Sequence, residues 1–319
     1  MNVLLLGEHG DQLDEGIKNT SIKLHDSIEA DDGHSVTLLD LRAIDTAAFW
    51  RRLHSVEPDV VHLIPGPTPQ GLTLLRLIGA WTGAETVATA TQPLDIDRMK
   101  RASALLAPDR LLAQSTAIQH EFEEAGFDTE FVPSGVDLDR YAPQSNVDAL
   151  RRDLDLPQDE RLFLHVGHCK PGRNVRALTH LTEYGEVVIV GSPSTGPQDG
   201  LVSALRSAGC IVRTEYVERI ERYYNAADVY VFPTTDDGNS IQAPLSVFEA
   251  MGCNLPVIAT AFGGLTDCFE AGDGLRFVDD VRDVSESDLA FESVDTRTKV
   301  SQYAWSSIGE QVLDVYESL

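Results

Sequence analysis

Residues 223–264 read YYNAADVYVFPTTDDGNSIQAPLSVFEAMGCNLPVIATAFGG, and this stretch decides the fold. DVYVFP is an apolar, β-branched and aromatic run, which predicts a strand buried in a parallel sheet. The polar loop TTDDGNS leads into a helix, PLSVFEAM, for which we expect Asn239 or Ser240 as the N-cap. LPVIAT predicts the next strand. Because α/β proteins bind phosphates and sugars in loops between a buried strand and a helix N-terminus, the stretch predicts a ligand site.

The rest of the chain alternates short apolar strands with helical segments in the same way. The strand candidates are, in chain order, VLLL, SVTLLD, DVVHLI, ETVATA, RLLAQ and TEFVP in the first half, and RLFLHVG, EVVIVG, CIVRTE, DVYVFP, LPVIAT and GLRFV in the second. This alternation predicts parallel sheets in two doubly wound, Rossmann-like α/β domains. We expect a cleft between the two domains, which is a favoured place for a small-molecule site.

The net charge of −26 is the most unusual property of the composition. A nucleic-acid backbone needs a basic surface, so nucleic-acid binding is disfavoured. Five lysines accompany twenty arginines, and the 51 acidic residues are spread along the chain rather than gathered in a tail. This combination resembles the proteins of halophilic archaea, whose saline cytoplasm would screen the repulsion between like charges. We therefore expect the protein to lose stability at low salt.

The remaining composition favours a cytoplasmic globular protein. A length of 319 residues with 42% hydrophobic content is sufficient for two domains with cores. No segment approaches the roughly 18 uninterrupted apolar residues of a membrane span, and MNVLLLG lacks the features of a signal peptide. The four cysteines have no CxxC spacing, which disfavours disulfide and zinc frameworks.

Several segments together resemble one protein family. YNAADVYVFP, PLSVFEAMGCNLPVIAT and FGGL are similar to the donor-binding segment of retaining, nucleotide-sugar-dependent glycosyltransferases of family four (glycosyl transferases group 1), which have the GT-B fold. The other matching segments are, in order, MNVLLLGEHG with DEGIKNTSIKLHDSI, VPSGVDLDRYAP, LFLHVGHCKPGRNVRAL and YAWSSIGEQVLDVYESL. The resemblance implies an acceptor-side domain over residues 1–140, a donor-binding domain over 141–300, and a helix over 301–319 that crosses back to the first domain.

The resemblance assigns the donor-binding residues. Glu249 corresponds to the helix glutamate that accepts hydrogen bonds from the ribose hydroxyls of the nucleotide; the alternative is an ordinary amphipathic helix position. The family's sugar-facing glutamate, eight positions earlier, is replaced by Ile241. The substitute we expect is the neighbouring Gln242, or Asp236 or Asp237 of the preceding loop. The full set of expected donor-binding residues is Glu249, Gly16, Gln242, Gly263, Gly264 and Leu245.

The phosphate loop, residues 167–174, carries the candidate catalytic residues. Fixed cations stabilise the charge that develops on a departing nucleoside diphosphate. Where the family has an Arg and a Lys, this chain has His168 and Arg173, with Lys170 between them. Arg173 has a permanent charge suited to a diphosphate, whereas His168 is charged only when protonated. The alternative is a solvated basic turn.

The acceptor side departs further from the family. The histidine expected at the end of the fourth strand is absent, and Thr91 or Gln92 occupies its place. His62, at the end of DVVHL, is a candidate for facing the cleft, although a histidine there is more often structural. A basic group is formed by Arg98, Lys100 and Arg101. It is either a patch for an anionic acceptor such as a lipid phosphate or one face of a surface helix. The first alternative leaves peripheral membrane contact open.

These features support one main function and two alternatives. The main hypothesis is transfer of a sugar from a nucleotide diphosphate donor, with retention, to an acceptor that the sequence does not identify, and without a metal or other cofactor. The first alternative is a catalytically degenerate GT-B protein, favoured by Ile241 and the missing histidine. The second is a nucleotide-sugar epimerase, disfavoured because we find no cluster of acidic and histidine residues. An NAD-dependent enzyme is disfavoured because the glycines near the start do not fit GxGxxG.

Overall fold

The computed structural model describes residues 1–8, 16–92, 105–192, 199–236, 238 and 240–319. Each of the twelve segments predicted to be strands is a strand, and over the described residues they form two six-stranded parallel sheets. The chain divides into two compact units. The first unit contains residues Met1–Gly135, Ile241–Ala243 and Trp305–Leu319, and the second contains Val136–Ser240 and Pro244–Ala304.

The sheet of the first unit has the order β2-β1-β3-β4-β5-β6 over the residues described. Its strands are β1 (Asn2–Gly7), β2 (Ser35–Asp40), β3 (Val60–Leu63), β4 (Glu85–Ala90), β5 (Arg110–Ala113) and β6 (Thr129–Phe131). Its helices include α1 (Gly16–Glu29), α2 (Ala47–Val56), α3 (Pro69–Thr82) and α4 (Thr116–Glu124). Three helices begin at a hydroxyl N-cap that accepts from a backbone amide three residues on, namely Thr46, Thr68 and Ser115. The core consists of the apolar side chains that α2, α3 and α4 bury against the sheet.

The sheet of the second unit has the order β12-β11-β10-β7-β8-β9 among described residues. Its strands are β7 (Leu162–Val166), β8 (Glu186–Val190), β9 (Ile211–Arg213), β10 (Val229–Phe232), β11 (Val257–Thr260) and β12 (Leu275–Val278). The connecting helices include α5 (Val147–Asp153), α6 (Asp199–Ser207), α7 (Glu221–Ala226), α8 (Leu245–Gly252), α9 (Leu265–Cys268) and α10 (Thr296–Val300). Between β7 and β8 lie two 3₁₀ helices, Pro171–Arg173 and Val175–Glu183. The strand order reverses between β7 and β10, the position at which open α/β sheets bind ligands.

The closing helix α11 (Trp305–Glu317) belongs to the first unit. The Ser27 hydroxyl of α1 donates to the carbonyl oxygen of Trp305 over 2.6 Å. A Cβ on Gly309 would lie 2.1 Å from the Ser27 Oγ, so glycine permits the close approach of the two helices. The N-terminal sheet therefore depends on residues from the last part of the sequence.

The expected N-cap of α8 is wrong. The helix begins at Leu245, Pro244 stands at the cap position, and no side chain caps the helix. The preceding segment Ile241–Ala243 instead belongs to the first unit, where the Gln242 backbone amide donates to the Thr91 carbonyl oxygen over 2.8 Å. Ser240 lies four residues before the cap position and does not cap the helix. Asn239 lies outside the described residues.

Among the helices described, none combines the length and the apolar character that crossing a membrane requires.

Candidate functional site

The candidate site of the second unit lies at the carboxyl ends of β7, β10 and β11, which are neighbours in the sheet. Because the strands are parallel, the loops that follow them lie at one edge of the sheet. The first is the predicted phosphate loop, residues 167–174; the second is the polar loop after Pro233; the third contains Gly263 and Gly264. The structure thus places these three predicted segments at the switch point of the sheet.

Gly167 opens the phosphate loop with a φ of +155°, a conformation that L side chains rarely adopt. A Cβ at this position would lie 3.0 Å from Nη1 of Arg173 and 3.3 Å from Nε2 of His165. The two nitrogens therefore border the space that glycine leaves open. Burial lowers the pKa of the Arg173 guanidinium. Arg173 is therefore a half-buried cation in the loop that follows β7, where a cation was predicted.

The loop is anchored to the neighbouring strand ends by hydrogen bonds. Asn174, whose φ of 52° is left-handed, donates from Nδ2 to the Pro233 carbonyl oxygen over 3.1 Å. The hydroxyl of Thr260, at the end of β11, donates to the carbonyl oxygen of the buried Thr234. These bonds connect the ends of β11 and β10 to the phosphate loop and fix the position of Arg173.

His168 and Lys170 lie in the same loop and are both partly exposed. The Lys170 amide donates to the His168 carbonyl oxygen over 2.9 Å, which makes a tight turn before the short 3₁₀ segment Pro171–Arg173. The structure therefore brings the three predicted cationic side chains into one loop, where a diphosphate would be held by charge and by backbone N–H groups.

His165, which the sequence analysis did not select, is the most unusual group of this site. Its ring is fully buried, and Nδ1 donates to the Val231 carbonyl oxygen over 3.0 Å. Nε2 is one of the few buried side-chain polar atoms without a hydrogen-bond partner among the described residues. Burial, opposed by the bond to Val231, lowers the pKa of His165 to about 4, so at neutral pH Nε2 is an unprotonated acceptor.

Glu249 is half-buried on α8 and is held by tyrosines. The Tyr224 hydroxyl donates to Oε2 of Glu249 over 2.8 Å, and Tyr141 also hydrogen-bonds to this carboxylate. Burial, together with the charge of Glu249, raises the pKa of both tyrosines well above the usual value, so both remain donors. The two tyrosine hydroxyls therefore hold the Glu249 carboxylate in place on α8.

A row of aromatic rings joins Glu249 to the phosphate loop. The rings of Tyr224 and Tyr230 have centroids 5.7 Å apart, and the His165 ring stacks on Tyr230 at 6.4 Å with an interplanar angle of 22°. The Tyr230 hydroxyl donates to Oγ of Ser246 on α8 over 2.7 Å. The two predicted binding groups, Glu249 and Arg173, are therefore positioned by one packed network.

The remaining predicted residues of the second unit lie near this network in the fold. Leu245 is the buried first residue of α8. Gly263 follows β11 with a φ of 53°, and Gly264 precedes α9. Phe262 packs its ring against Phe232 at 5.4 Å, which fixes the turn that the two glycines make.

In the first unit, Gly16 and Ile241 contact each other. Gly16 opens α1, and a Cβ there would lie 3.0 Å from Cδ1 of Ile241, which is 7% exposed. Glycine at position 16 thus makes room for the isoleucine that replaces the expected carboxylate. The position of the missing carboxylate is filled by apolar packing.

Gln242 and Thr91 are also brought together, by the amide-to-carbonyl bond described above. Both residues are buried, and Oε1 of Gln242 accepts from the Ser115 hydroxyl over 3.4 Å. Gln92 is partly exposed. The Gln242 side chain, which we expected to bond to a sugar hydroxyl, therefore has a partner inside the first unit.

His62 does not lie at an open edge, so the candidate role of facing a cleft is not met. The ring is fully buried, with Nδ1 2.6 Å from the Tyr316 hydroxyl and Nε2 2.6 Å from the Thr89 hydroxyl. Burial lowers the pKa of His62 to about 3, so one nitrogen donates and the other accepts. The residue connects β3, β4 and α11 and has a structural role.

Arg98, Lys100 and Arg101, together with Asp237, lie outside the described residues. On α1 the side chains of His25, Asp26 and Glu29 bring potential metal-ligand atoms within 4.8 Å of one another, which the sequence analysis did not expect. This group is largely exposed, and exposed acidic groups are common without a metal, so we assign no metal site to it.

Comparisons with known proteins identify the class of fold. HepE from Anabaena, solved in complex with UDP-glucose, superposes with a TM-score of 0.76 and 16% identity over 99% of this chain and 99% of that chain. The architecture of two six-stranded parallel sheets is therefore that of the GT-B glycosyltransferases. Residues 173–289 match the family described as "Glycosyl transferases group 1", so this part of the second unit is similar to that family.

Two curated glycosyltransferases are similar to parts of the chain. A putative teichuronic acid biosynthesis glycosyltransferase of Bacillus subtilis is 31% identical over 166 residues, which is 50% of this chain and 40% of the relative. The D-inositol 3-phosphate glycosyltransferase of Nocardiopsis dassonvillei is 31% identical over 247 residues, which is 66% of this chain and 56% of the relative. The chain thus spans about half the length of the curated relatives that it matches.

Sequence reasoning missed the tyrosines and the histidine that position the site. Tyr224 and Tyr141 are far from Glu249 in sequence and become its partners only in the folded chain. For His165 a signal was present, because a histidine interrupts the otherwise apolar strand LFLHV directly before the phosphate loop.

Proposed function

We propose that the protein is a glycosyltransferase that moves a sugar from a nucleotide diphosphate donor to an acceptor with retention of configuration. The observation that carries this proposal is the pairing of Glu249, held by two tyrosine hydroxyls, with the cationic loop of Arg173, His168 and Lys170. One end of this arrangement suits a ribose diol and the other suits a diphosphate. The group 1 match of residues 173–289 supports the same reading.

In the proposed reaction, Glu249 accepts hydrogen bonds from the ribose hydroxyls and so fixes the nucleotide. The bond between the anomeric carbon and the diphosphate oxygen breaks, and Arg173, with His168 or Lys170, stabilises the charge that develops on that oxygen. The acceptor oxygen bonds to the same face of the sugar, and its proton passes to the departing phosphate. This scheme uses no metal ion.

A second candidate is a GT-B protein that binds a nucleotide sugar without transferring the sugar. The observation that favours it is in the first unit, where Ile241 replaces a carboxylate and the Gln242 side chain is buried with its own partner. Binding of a nucleotide agrees with both candidates, whereas consumption of the donor agrees only with the first.

Isothermal titration with UDP, GDP and ADP tests the binding site, and UDP is tested first because HepE was solved with UDP-glucose. The titration is performed in dilute buffer and in molar potassium chloride. We expect Glu249→Ala to weaken nucleotide binding about 100-fold, because hydrogen bonds to a charged group contribute about 1.5–3 kcal/mol each. Glu183→Ala removes the same charge from an exposed position of the second unit and should leave the affinity unchanged.

Three results decide the proposal. The site is contradicted if Glu249→Ala and Glu183→Ala lose equal nucleotide affinity. It is also contradicted if the wild-type chain binds no nucleotide. Tyr224→Phe keeps the carboxylate and should cost less affinity than Glu249→Ala. Release of UDP from UDP-sugars in the presence of acceptors, measured by a coupled assay, then separates transfer from binding alone.

A further inference from the structure

An exposed group of large apolar side chains lies on the first unit, far in sequence from the phosphate loop. Four large hydrophobic residues are exposed among those the structure describes. Three of them are on α2 and α3, with exposed fractions of 37% for Trp50, 64% for Leu77 and 52% for Trp81. Together with His54 we call them the aromatic patch. Two of the chain's three tryptophans belong to it.

The rings of Trp50 and His54, on α2, both contact the ring of Trp81, on α3. The rings of Trp50 and Trp81 have centroids 6.2 Å apart, and His54 stacks on Trp81 at 5.5 Å with an interplanar angle of 14°. The indole N–H of Trp50 donates to the Ile44 carbonyl oxygen over 2.8 Å, which fixes that ring. Leu77 lies one turn before Trp81 on α3, so the two side chains share a face. The result is one continuous apolar surface on two helices.

The charge of these helices is opposite to that of the chain. About one residue in six is acidic in the whole sequence, since 51 of 319 are Asp or Glu. The 10 residues of α2 and the 14 residues of α3 contain neither. They do contain Arg51, Arg52 and Arg76, all of them exposed. In a protein with a net charge of −26, this surface repels an anionic partner less than the acidic remainder of the chain does.

We propose that the aromatic patch docks the protein on the surface of an anionic lipid bilayer. Tryptophan rings prefer the interface between lipid and water, exposed leucine adds apolar area, and arginines attract anionic head groups. A second copy of this chain fits less well, because two such surfaces would bring arginines together with no acidic residue of either helix to pair with them. A glycan also fits less well, because the exposed faces of these helices offer no carboxylates for sugar hydroxyls. This inference does not depend on the proposed transferase activity.

Sedimentation with lipid vesicles tests this inference on the full chain. We expect the protein to bind vesicles of phosphatidylglycerol and phosphatidylcholine, and to bind pure phosphatidylcholine vesicles at least tenfold more weakly. Leu77→Ser and Trp81→Ser should each lower the partition coefficient about tenfold, because each removes a large apolar side chain from the lipid interface. Leu105→Ser is the matched control, since Leu105 is 78% exposed but lies outside α2 and α3.

The charge contribution has its own matched pair. Arg51→Glu should weaken binding to the anionic vesicles, whereas Arg152→Glu, an exposed arginine of the second unit, should not. The proposal is overturned if the wild-type chain binds neither kind of vesicle, if it binds both equally, or if Leu105→Ser loses as much as Leu77→Ser. It is also overturned if light scattering shows a dimer that Leu77→Ser dissociates, because the surface would then join two copies. Unchanged thermal unfolding of the variants confirms that they are folded.

Discussion

The two units share one architecture, but the polar side chains predicted to bind ligands differ between them in burial and in bonding. In the second unit, Glu249 and Arg173 are half-buried and are held in position by neighbours. In the first unit, His62 and Gln242 are fully enclosed and bond to Tyr316, Thr89 and Ser115. The comparison teaches that the same architecture can either enclose a polar side chain as a structural group or leave it accessible, and that only an accessible group can meet a ligand.

Removal of the central cation should have the largest effect on the second unit. We expect Arg173→Ala to lower kcat for transfer about 100- to 1,000-fold, because a fixed charge next to the leaving diphosphate acts mainly in the transition state. Arg176→Ala changes the charge equally at an exposed position on the next 3₁₀ helix and should leave kcat unchanged. If Arg173→Ala and Arg176→Ala both have the wild-type kcat, Arg173 does not contribute to catalysis, and the difference between the two units is only structural.

The second prediction compares one buried histidine from each unit. Burial lowers the pKa of His62 to about 3 and that of His165 to about 4, both from an ordinary value of about 6.5. At pH values between the ordinary pKa of 6.5 and the lowered pKa of the folded state, a histidine is protonated in the unfolded chain and not in the folded chain. The free energy of unfolding therefore decreases as the pH falls from 6.5 towards 4. We expect a loss of roughly 2–3 kcal/mol for each histidine by pH 4.

Denaturant unfolding at a series of pH values measures this loss. His62→Gln and His165→Gln should each remove part of the pH dependence, and His120→Gln, at an exposed position, should remove none. Saturating UDP sharpens the comparison, because Nε2 of His165 borders the phosphate loop and a bound diphosphate favours the protonated ring. An equal effect of UDP on both histidines would contradict the placement of the ligand in the second unit.

The smallest expected effect comes from one methyl group at the start of the phosphate loop. Gly167→Ala should cost about 1–2 kcal/mol of stability, because the backbone conformation is unfavourable for alanine. The Cβ of the new alanine would also displace the Arg173 side chain and so weaken nucleotide binding. Gly209→Ala has a comparable φ of +95° with nothing within 4 Å, so it should lose stability without losing affinity. Equal affinities in the two variants would show that Arg173 does not hold the nucleotide.

The strands and their parallel arrangement could be predicted because their evidence is local. Each of the twelve apolar runs is bounded by turn residues, and a buried parallel strand needs little more. The predicted loop of His168, Lys170 and Arg173 was likewise visible as three cationic positions after one strand.

What could not be predicted depends on contacts between distant residues. Nothing near Ile241 in the sequence shows that Ile241–Ala243 would leave the second unit and pack against Gly16 in the first. The N-cap prediction for α8 failed for that reason. The same holds for Tyr141, which lies more than a hundred positions before the carboxylate it binds.

The assembly of the first unit from three separate stretches of chain has a consequence for biosynthesis. When residues up to Gly135 have left the ribosome, His62 still lacks the Tyr316 hydroxyl and α1 still lacks the helix that packs against it. The second unit is complete once Ala304 has emerged. The half that begins the sequence is therefore the last to finish folding, and its early hydrophobic surfaces are the ones exposed longest to misfolding during translation.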